Sequence, residues 1–433
     1  MTALASASGL ALFRRVGPAT IPTSEPPPVR RREIIGWCSY DFANSAFTTI
    51  IITVVFAPWF MSVIAAGNPL GPGWWGTALA VSQVVIILVS PLIGAIADVT
   101  ARKKVFLMIA AVVCSVATVL LALAGAGDIW LALGLVVTAN IAFSLGENLC
   151  ASFLPEISTP QTVGRISGYG WSFGYLGGLL SLVLALAIIN SGPGRVPWTF
   201  VMTGGFFLLA CLPTLMLRER AQRRTLAPGE SWIGLGLRQL AVMRRELPRH
   251  RTLLFFFVAL FFYIAGLTAI VAFASVFATE VLAMTQAEII KLFIVLQLAG
   301  VAGAWGFGLL QDRTGPRLAL VISLLQWIVV CGWAAVCTTK TEFFLIGMLA
   351  GSAMGSLQAG GRAVVALLTP PGRGGEFFGY WGFFTKLAGV VGQPVFGWLA
   401  AWHGYRVATL VNCGFFIIGL IVLLGLRLRP SAR

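Results

Sequence analysis

The sequence predicts an all-α membrane protein of twelve transmembrane helices in two six-helix bundles, and three observations predict it. The first is composition: 58% of the 433 residues are hydrophobic, 10% are charged and the mean hydropathy is +0.90. A soluble domain carries about a quarter of its residues as charges, so this chain belongs in lipid. The second is a set of apolar runs long enough to cross a bilayer, which takes roughly 20 residues each. The third is an internal repeat. The turn Gly94-Ala-Ile-Ala-Asp98-Val-Thr-Ala-Arg102-Lys103-Lys104 returns 214 positions later as Gly308-Leu-Leu-Gln-Asp312-Arg313-Thr-Gly315-Pro-Arg317. Gly164-Arg165-Ile-Ser-Gly168-Tyr169 returns at an offset of 211 as Gly375-Glu376-Phe-Phe-Gly379-Tyr380. Two echoes at nearly one offset point to two related halves, the plan of many transporters.

Residues 1–35 contain Glu25-Pro26-Pro27-Pro28 and Arg30-Arg31-Arg32 and read as a disordered cytoplasmic tail. Their weak apolar stretch precedes its arginines, the wrong order for a secretory signal. Spans are expected near 36–64, 74–97, 104–125, 129–149, 164–189 and 197–217, forming an N-terminal bundle over 36–217. A basic cytoplasmic linker, 218–251, carries nine arginines, and its stretch Ser231 to Met243 has the pattern of a helix lying on the membrane surface. The C-terminal bundle, 252–427, follows with spans near 252–279, 286–310, 317–337, 342–366, 376–401 and 405–426, and 428–433 form a cytoplasmic tail. With the N-terminus inside, 25 Lys and Arg fall on the cytoplasmic side against four outside (Arg195, Lys291, Lys340 and Arg406), and Lys386 lies within a span. That bias places both termini in the cytoplasm.

The net charge of +15 therefore sets orientation and does not imply nucleic acid. Seven cysteines sit almost wholly in apolar runs, without metal-ligand spacing, and read as small core residues. Two histidines, His250 and His403, leave a membrane enzyme no buried nucleophile and base, and no phosphate-binding Gly-x4-Gly-Lys loop is present. Neither an enzyme nor any metal or organic cofactor is expected. The expected partners are a small-molecule substrate, protons and the lipid bilayer, with the chain acting as a monomer.

The turn after spans two and eight, Gly-x-x-x-Asp-x-x-(Ala/Gly)-x-(Lys/Arg), resembles the signature loop of the major facilitator superfamily. The resemblance implies a gating motif of Gly94, Asp98, Arg102 and Lys103 in one half and Gly308, Asp312, Arg313 and Arg317 in the other. Each glycine would let its helix approach the opposite half, and each aspartate would sit against a helix N-terminus. Ala101 stands where glycine is common, and Pro316 lies among the basic positions of the second copy. Tyr40-Asp41-Phe-Ala-Asn44-Ser45, Phe153-Leu154-Pro155-Glu156, Arg165-Ile-Ser-Gly168-Tyr-Gly170-Trp171 and Glu376-Phe377-Phe378-Gly379 are similar to the vacuole effluxer-like family, which includes fungal vacuolar amino-acid exporters and bacterial relatives of unassigned substrate. The resemblance implies secondary transport by alternating access, with proton-coupled export of amino acids or similar metabolites as the leading expectation. A drug, sugar or lipid transporter of the same fold, or a transport-inactive scaffold, is the alternative. Twenty-five arginines against five lysines suggest a GC-rich bacterium, hence a plasma membrane; a eukaryotic source would imply the vacuole.

Charges inside spans cost roughly 2.5–3.5 kcal/mol each on insertion scales, which makes them candidates for function. Asp41, Asn44, Ser45 and Thr48 form a polar stripe on span one, and Asn140, Ser144, Glu147 and Asn148 form one on span four. The superfamily arrangement places Gln358 and Arg362 of span ten across from them. Asp41 reads either as a proton-coupling carboxylate, with Lys386 or Arg362 its alternating partner, or as a permanently paired structural charge. Glu147 reads as a gate or loop anchor. Arg362 either holds a substrate carboxylate or pairs with Glu147. Tyr263, Gln297, Gln358 and Gln393 are uncharged cavity candidates or polar clamps between helices. Gly170, Gly174 and Gly178 make one face of span five smooth enough for close packing, while Trp171 and Tyr175, one turn apart on the neighbouring face, offer a pocket for apolar or aromatic cargo as the alternative.

Overall fold

The computed structural model describes residues 29–158, 163–220, 231, 234, 245, 247–314, 316–368 and 374–426. Twelve long helices run through them. The first half holds α1 Arg31–Ile64, α2 Gly71–Thr100, α3 Lys103–Leu123, α4 Ile129–Ala151, α5 Val163–Asn190 and α6 Val196–Met216. The second holds α7 Arg251–Leu282, α8 Gln286–Thr314, α9 Pro316–Val336, α10 Lys340–Leu368, α11 Gly374–His403 and α12 Tyr405–Gly425. Ten of these are long and apolar enough to cross a membrane by those criteria alone. The other two, α10 and α11, carry Gln358, Arg362, Lys386 and Gln393 within their length. The surface segment expected over 231–243 lies mostly outside the described residues, as does the tail up to residue 28.

The first helix begins at Arg31, ahead of the expected 36. Glu33 explains the extension: one carboxylate oxygen accepts from the Arg30 backbone N–H at 3.3 Å, and the other meets the Arg220 guanidinium at 2.8 Å. This carboxylate is fully buried. Around it the inner ends of the first half are tied by a chain of charges. Lys103 pairs with Glu156 at 2.9 Å, Glu156 accepts from the Arg220 backbone N–H at 3.0 Å, and Glu219 accepts from the Lys104 backbone N–H at 2.6 Å.

Residues 48–55 are eight β-branched residues in succession, Thr-Thr-Ile-Ile-Ile-Thr-Val-Val, and their side chains crowd a regular helical turn. The helix widens there to a π-helix over Thr48–Val54, with Val55 N–H donating to Ile50 O at 2.9 Å. Pro58 follows and has no N–H for the carbonyl of Val54, four residues earlier. The backbone of α1 therefore leaves acceptors unused near its outer half.

Within the halves, small residues and aromatics fill the contacts. Gly177 of α5 lies on the Phe42 carbonyl of α1, so closely that no Cβ fits. Gly170 and Gly174 lie against Asp41 and Ser45, so the glycine face expected for packing does pack. In the second half Trp327 stacks on Phe416 at 5.4 Å, and Asn412 donates to Gly266 O at 3.1 Å. All seven cysteines are buried and unbridged.

At the end of α2, Ala101 adopts φ +50°, and Arg102 N–H donates to Ala97 O at 3.1 Å. This is a helix stop that normally uses glycine, at the position where the signature turn departs from glycine.

Candidate functional site: a cavity between the halves

The end that carries the basic loops, which the positive-inside rule leads one to expect on the cytoplasmic side, is termed the inner end. At the outer end the two halves are joined by hydrogen bonds. Ser275 of α7 donates to Thr53 O, and Gln286 at the start of α8 donates to the freed Val54 O at 2.7 Å. Trp75 of α2 donates to Ala272 O at 3.2 Å, and Trp398 of α11 donates to Thr77 Oγ1 at 3.1 Å. Between α2 and α11 the backbones touch: Gly73 lies so close to the Trp398 ring that a Cβ would approach it to 2.6 Å, and Gly76 and Gly397 abut the carbonyls of Gln393 and Pro72. The outer end is sealed by neutral hydrogen bonds and glycine contacts.

The inner end is different. A Cβ added to Gly94 of α2, or to Gly379 or Gly382 of α11, would meet no heavy atom within 4 Å. The glycine expected to bring α2 against the other half faces open space, so this contact of the signature turn is disengaged in this conformation. The side chains of Asp98, Gly308, Asp312 and Arg362 lie outside those described. Arg102 and Arg313 are exposed, Arg317 donates to Leu424 O at 2.8 Å, and Lys103 belongs to the ion-pair chain with Glu156. One described ion pair spans the halves here, Lys386 of α11 with Glu147 of α4 at 3.4 Å. Lys386 thus meets Glu147 in this conformation.

A cavity of about 240 Å³ lies beneath the outer seal. Its first-half wall is Ser45, Thr48, Thr49 and Thr53 of α1 with Trp171 and Tyr175 of α5, whose rings stand 6.2 Å apart. Gln297 of α8 and Gln358 of α10 supply amides, and the rest is largely apolar, with the stacked pairs Phe273/Phe396 and Phe277/Phe343. Thr48, Thr49 and Thr53 stand three, four and eight residues after Ser45, on one helical face, with the π-helical turn running through them. Asn44 and Asn140 are buried and stand outside the lining. Asp41 lies one turn before Ser45, its carboxylate against Gly170. Gln393 is buried at the α2/α11 seam beside Gly389, and Tyr263 is buried against Gly361. Trp171 and Tyr175, which the sequence offered as cavity aromatics, are in the lining; its phenylalanines went unnoticed because in an apolar run they carry no mark of which face they occupy.

Among the described residues no group of three or more His, Cys, Asp or Glu is placed to hold a metal ion. What this arrangement can do is enclose a small molecule between two halves that are sealed at one end and, among the described residues, joined at the other by one ion pair beside glycines that face open space.

A family model described as vacuole effluxer Atg22 like matches residues 77–433. The chain is 25% identical over 403 residues to the uncharacterized MFS-type transporter YxiO of Bacillus subtilis, covering 89% of this chain and 93% of that protein. It is 23% identical to autophagy-related protein 22 of Yarrowia lipolytica, of which it spans 50%, and 22% identical to the multidrug resistance protein MdtG of Salmonella arizonae, of which it spans 96%. Among solved structures it resembles a point mutant of the nucleoside transporter NupG, with TM-score 0.69 at 14% identity and 91% and 98% of the two chains covered. A bacterial homolog of the human lysosomal transporter Spinster gives TM-score 0.68 at 15% identity, over 93% and 98%. These relatives are transporters and not enzymes, and the chain, an integral membrane transporter of the major facilitator fold, belongs to the vacuole effluxer Atg22-like family.

Proposed function

We propose that the protein carries a small solute through the cavity between its halves by alternating access, driven by protons and in the direction of export. The observation that carries this reading is the contrast between the two ends: neutral hydrogen bonds close the outer one, while among the described residues of the inner one a single ion pair bridges the halves and Gly94, Gly379 and Gly382 face open space. Rocking of one half against the other would exchange these states around a fixed site. Protonation of Glu147 would release Lys386, and Asp41, one turn below the cavity, is the second carboxylate proposed for the proton path, with Asn44, Asn140, Gln358 and Arg362 as polar groups along it. Asp98 and Asp312 are proposed to re-engage the inner gate. Amino acids or similar metabolites are the cargo suggested by the resemblance to fungal vacuolar exporters, with the chain working as a monomer in a bacterial plasma membrane. Drug export is the second reading, favoured by the aromatic lining and by the likeness to MdtG.

The test is reconstitution in liposomes with an imposed pH gradient and a panel of amino acids, drugs and sugars. Uphill flux that follows the gradient, and that Glu147→Gln or Asp41→Asn uncouples while exchange persists, is the expected result. Flux indifferent to the gradient ends the proton part of the proposal, and cavity access from only one face under every condition ends the transport part.

A further inference from the structure

Three carboxylates at the inner end of the first half are engaged within it. Glu33 is held by Arg220, Glu156 by Lys103 and the Arg220 backbone N–H, and Glu219 accepts from the Lys104 backbone N–H. Lys104 Nζ in turn donates to the carbonyls of Leu215 and Leu217, both at 3.2 Å. Arg31, Arg32 and Arg218 are left over. All three are exposed, and among the described residues none of their side chains is held by an ion pair or a hydrogen bond. The positive-inside rule counts Lys and Arg whether or not they are paired, so it gives no reason for these three to stand free.

The packing of α6 on α1 brings them to one rim. Gly36 lies against the Pro213 carbonyl, Thr214 Oγ1 donates to Gly36 O at 3.0 Å, and Arg220 reaches Glu33 at 2.8 Å. Residues 213–220 therefore run beside 33–36 in the opposite direction, and Arg218 falls next to the first turn of α1, which holds Arg31 and Arg32. Deeper along the same two segments, Ile35, Leu212, Leu215 and Met216 are about half exposed. Free guanidiniums above exposed aliphatic side chains match the border of a leaflet, where phosphate lies over acyl chains. A guanidinium meets phosphate oxygens through two parallel N–H donors, which a lysine cannot do.

We propose that this rim is a binding site for an anionic phospholipid, with the phosphodiester across Arg32 and Arg218, Arg31 adding charge, and an acyl chain along Ile35, Leu212 and Met216. The site lies wholly on the first half and is independent of the cavity and of what the cavity carries. Each arginine close to a charged lipid contributes about a fivefold change in affinity.

Phosphatidylglycerol and phosphatidylcholine with identical acyl chains, mixed into detergent micelles of the full chain, are the probes. Thermal unfolding reads binding, since a ligand stabilises the state that binds it, and native mass spectrometry counts the lipid retained. Phosphatidylglycerol is expected to half-saturate at a mole fraction about tenfold or more below phosphatidylcholine, and the preference to fade toward about 1 M salt, where screening acts within about 3 Å. Arg218→Gln is expected to weaken phosphatidylglycerol about fivefold, and Arg32→Gln with Arg218→Gln to abolish the preference. Arg32→Lys with Arg218→Lys keeps the charge and should keep part of the preference, which separates loss of the site from loss of the fold. Arg249→Gln with Arg251→Gln removes the same charge from the inner end of the second half and is expected to leave the preference unchanged. Equal binding of the two lipids by the parent, a preference that survives Arg32→Gln with Arg218→Gln, or the same loss in the Arg249/Arg251 control would each overturn the site. Soluble glycerol 3-phosphate matching the lipid would overturn it as well, by showing an anion site without a bilayer component.

Discussion

Replacing Glu147 by Gln, or Lys386 by Met, is expected to let the inner end part more widely. The pair is a described charge contact between α4 and α11, at 3.4 Å, with side chains 47% and 20% exposed. Unit charges at about this separation attract by about 1 kcal/mol in bulk water and several times more at an effective dielectric of about 20. With one partner nearly half exposed, solvent screening and side-chain entropy keep the net value within about 0–1 kcal/mol. The upper end of that range corresponds to about a fivefold shift between inner-closed and inner-open forms. A cysteine placed at Gly382, where a Cβ meets no heavy atom within 4 Å, reports the shift through its labelling rate with a membrane-impermeant maleimide in inside-out vesicles. The seven native cysteines are buried and give little background. Either single substitution is expected to raise the rate up to about fivefold, and the exchange Glu147→Lys with Lys386→Glu to return it to the starting value. Singles that label like the parent, or an exchange that behaves like the singles, would refute the assignment of this pair to the inner gate.

Arg220→Met strands the fully buried Glu33 carboxylate and is expected to cost about 3–5 kcal/mol, most of it recovered by adding Glu33→Gln, as read from thermal unfolding in detergent. Gly177→Ala forces a methyl onto the Phe42 carbonyl and is expected to destabilise the α1/α5 contact by about 1–3 kcal/mol; a variant as stable as the parent would contradict that close approach. Ala101→Gly relieves a left-handed backbone worth roughly 1–2 kcal/mol, against a glycine entropy cost of about 0.5–1 kcal/mol. It should therefore be neutral to slightly stabilising, while Ala101→Val should be worse than either. Gln286→Ala removes one outer hydrogen bond, about 1 kcal/mol, and should raise labelling of the cavity from the outer face.

The spans were legible because a bilayer imposes length and apolarity on each one separately, so even α10 and α11, with their internal Gln, Arg and Lys, appear as runs near 342–366 and 376–401. The polar stripe of α1 was legible in part. Ser45 and Thr48 do line the cavity and the same face continues to Thr49 and Thr53, while Asp41, one turn earlier, and Asn44 stand outside the lining. Partners across the halves were not legible. Lys386 and Glu147 are 239 positions apart, and depth along one helix says nothing about which residue of the other half lies opposite. Phe273, Phe277 and Phe343 look in sequence like any lipid-facing phenylalanine; only the meeting of two bundles makes them a wall.

The outer seal has a property that follows from Pro58. Two of its acceptors, the carbonyls of Thr53 and Val54, belong to the main chain and are encoded by no particular side chain. Drift among the β-branched residues of α1 leaves those acceptors in place, so natural variation can retune these two bonds of the closure only through the donors Ser275 and Gln286 or by restoring an amide hydrogen at position 58. Heredity has three handles on this latch, and two of them sit in the opposite half of the molecule.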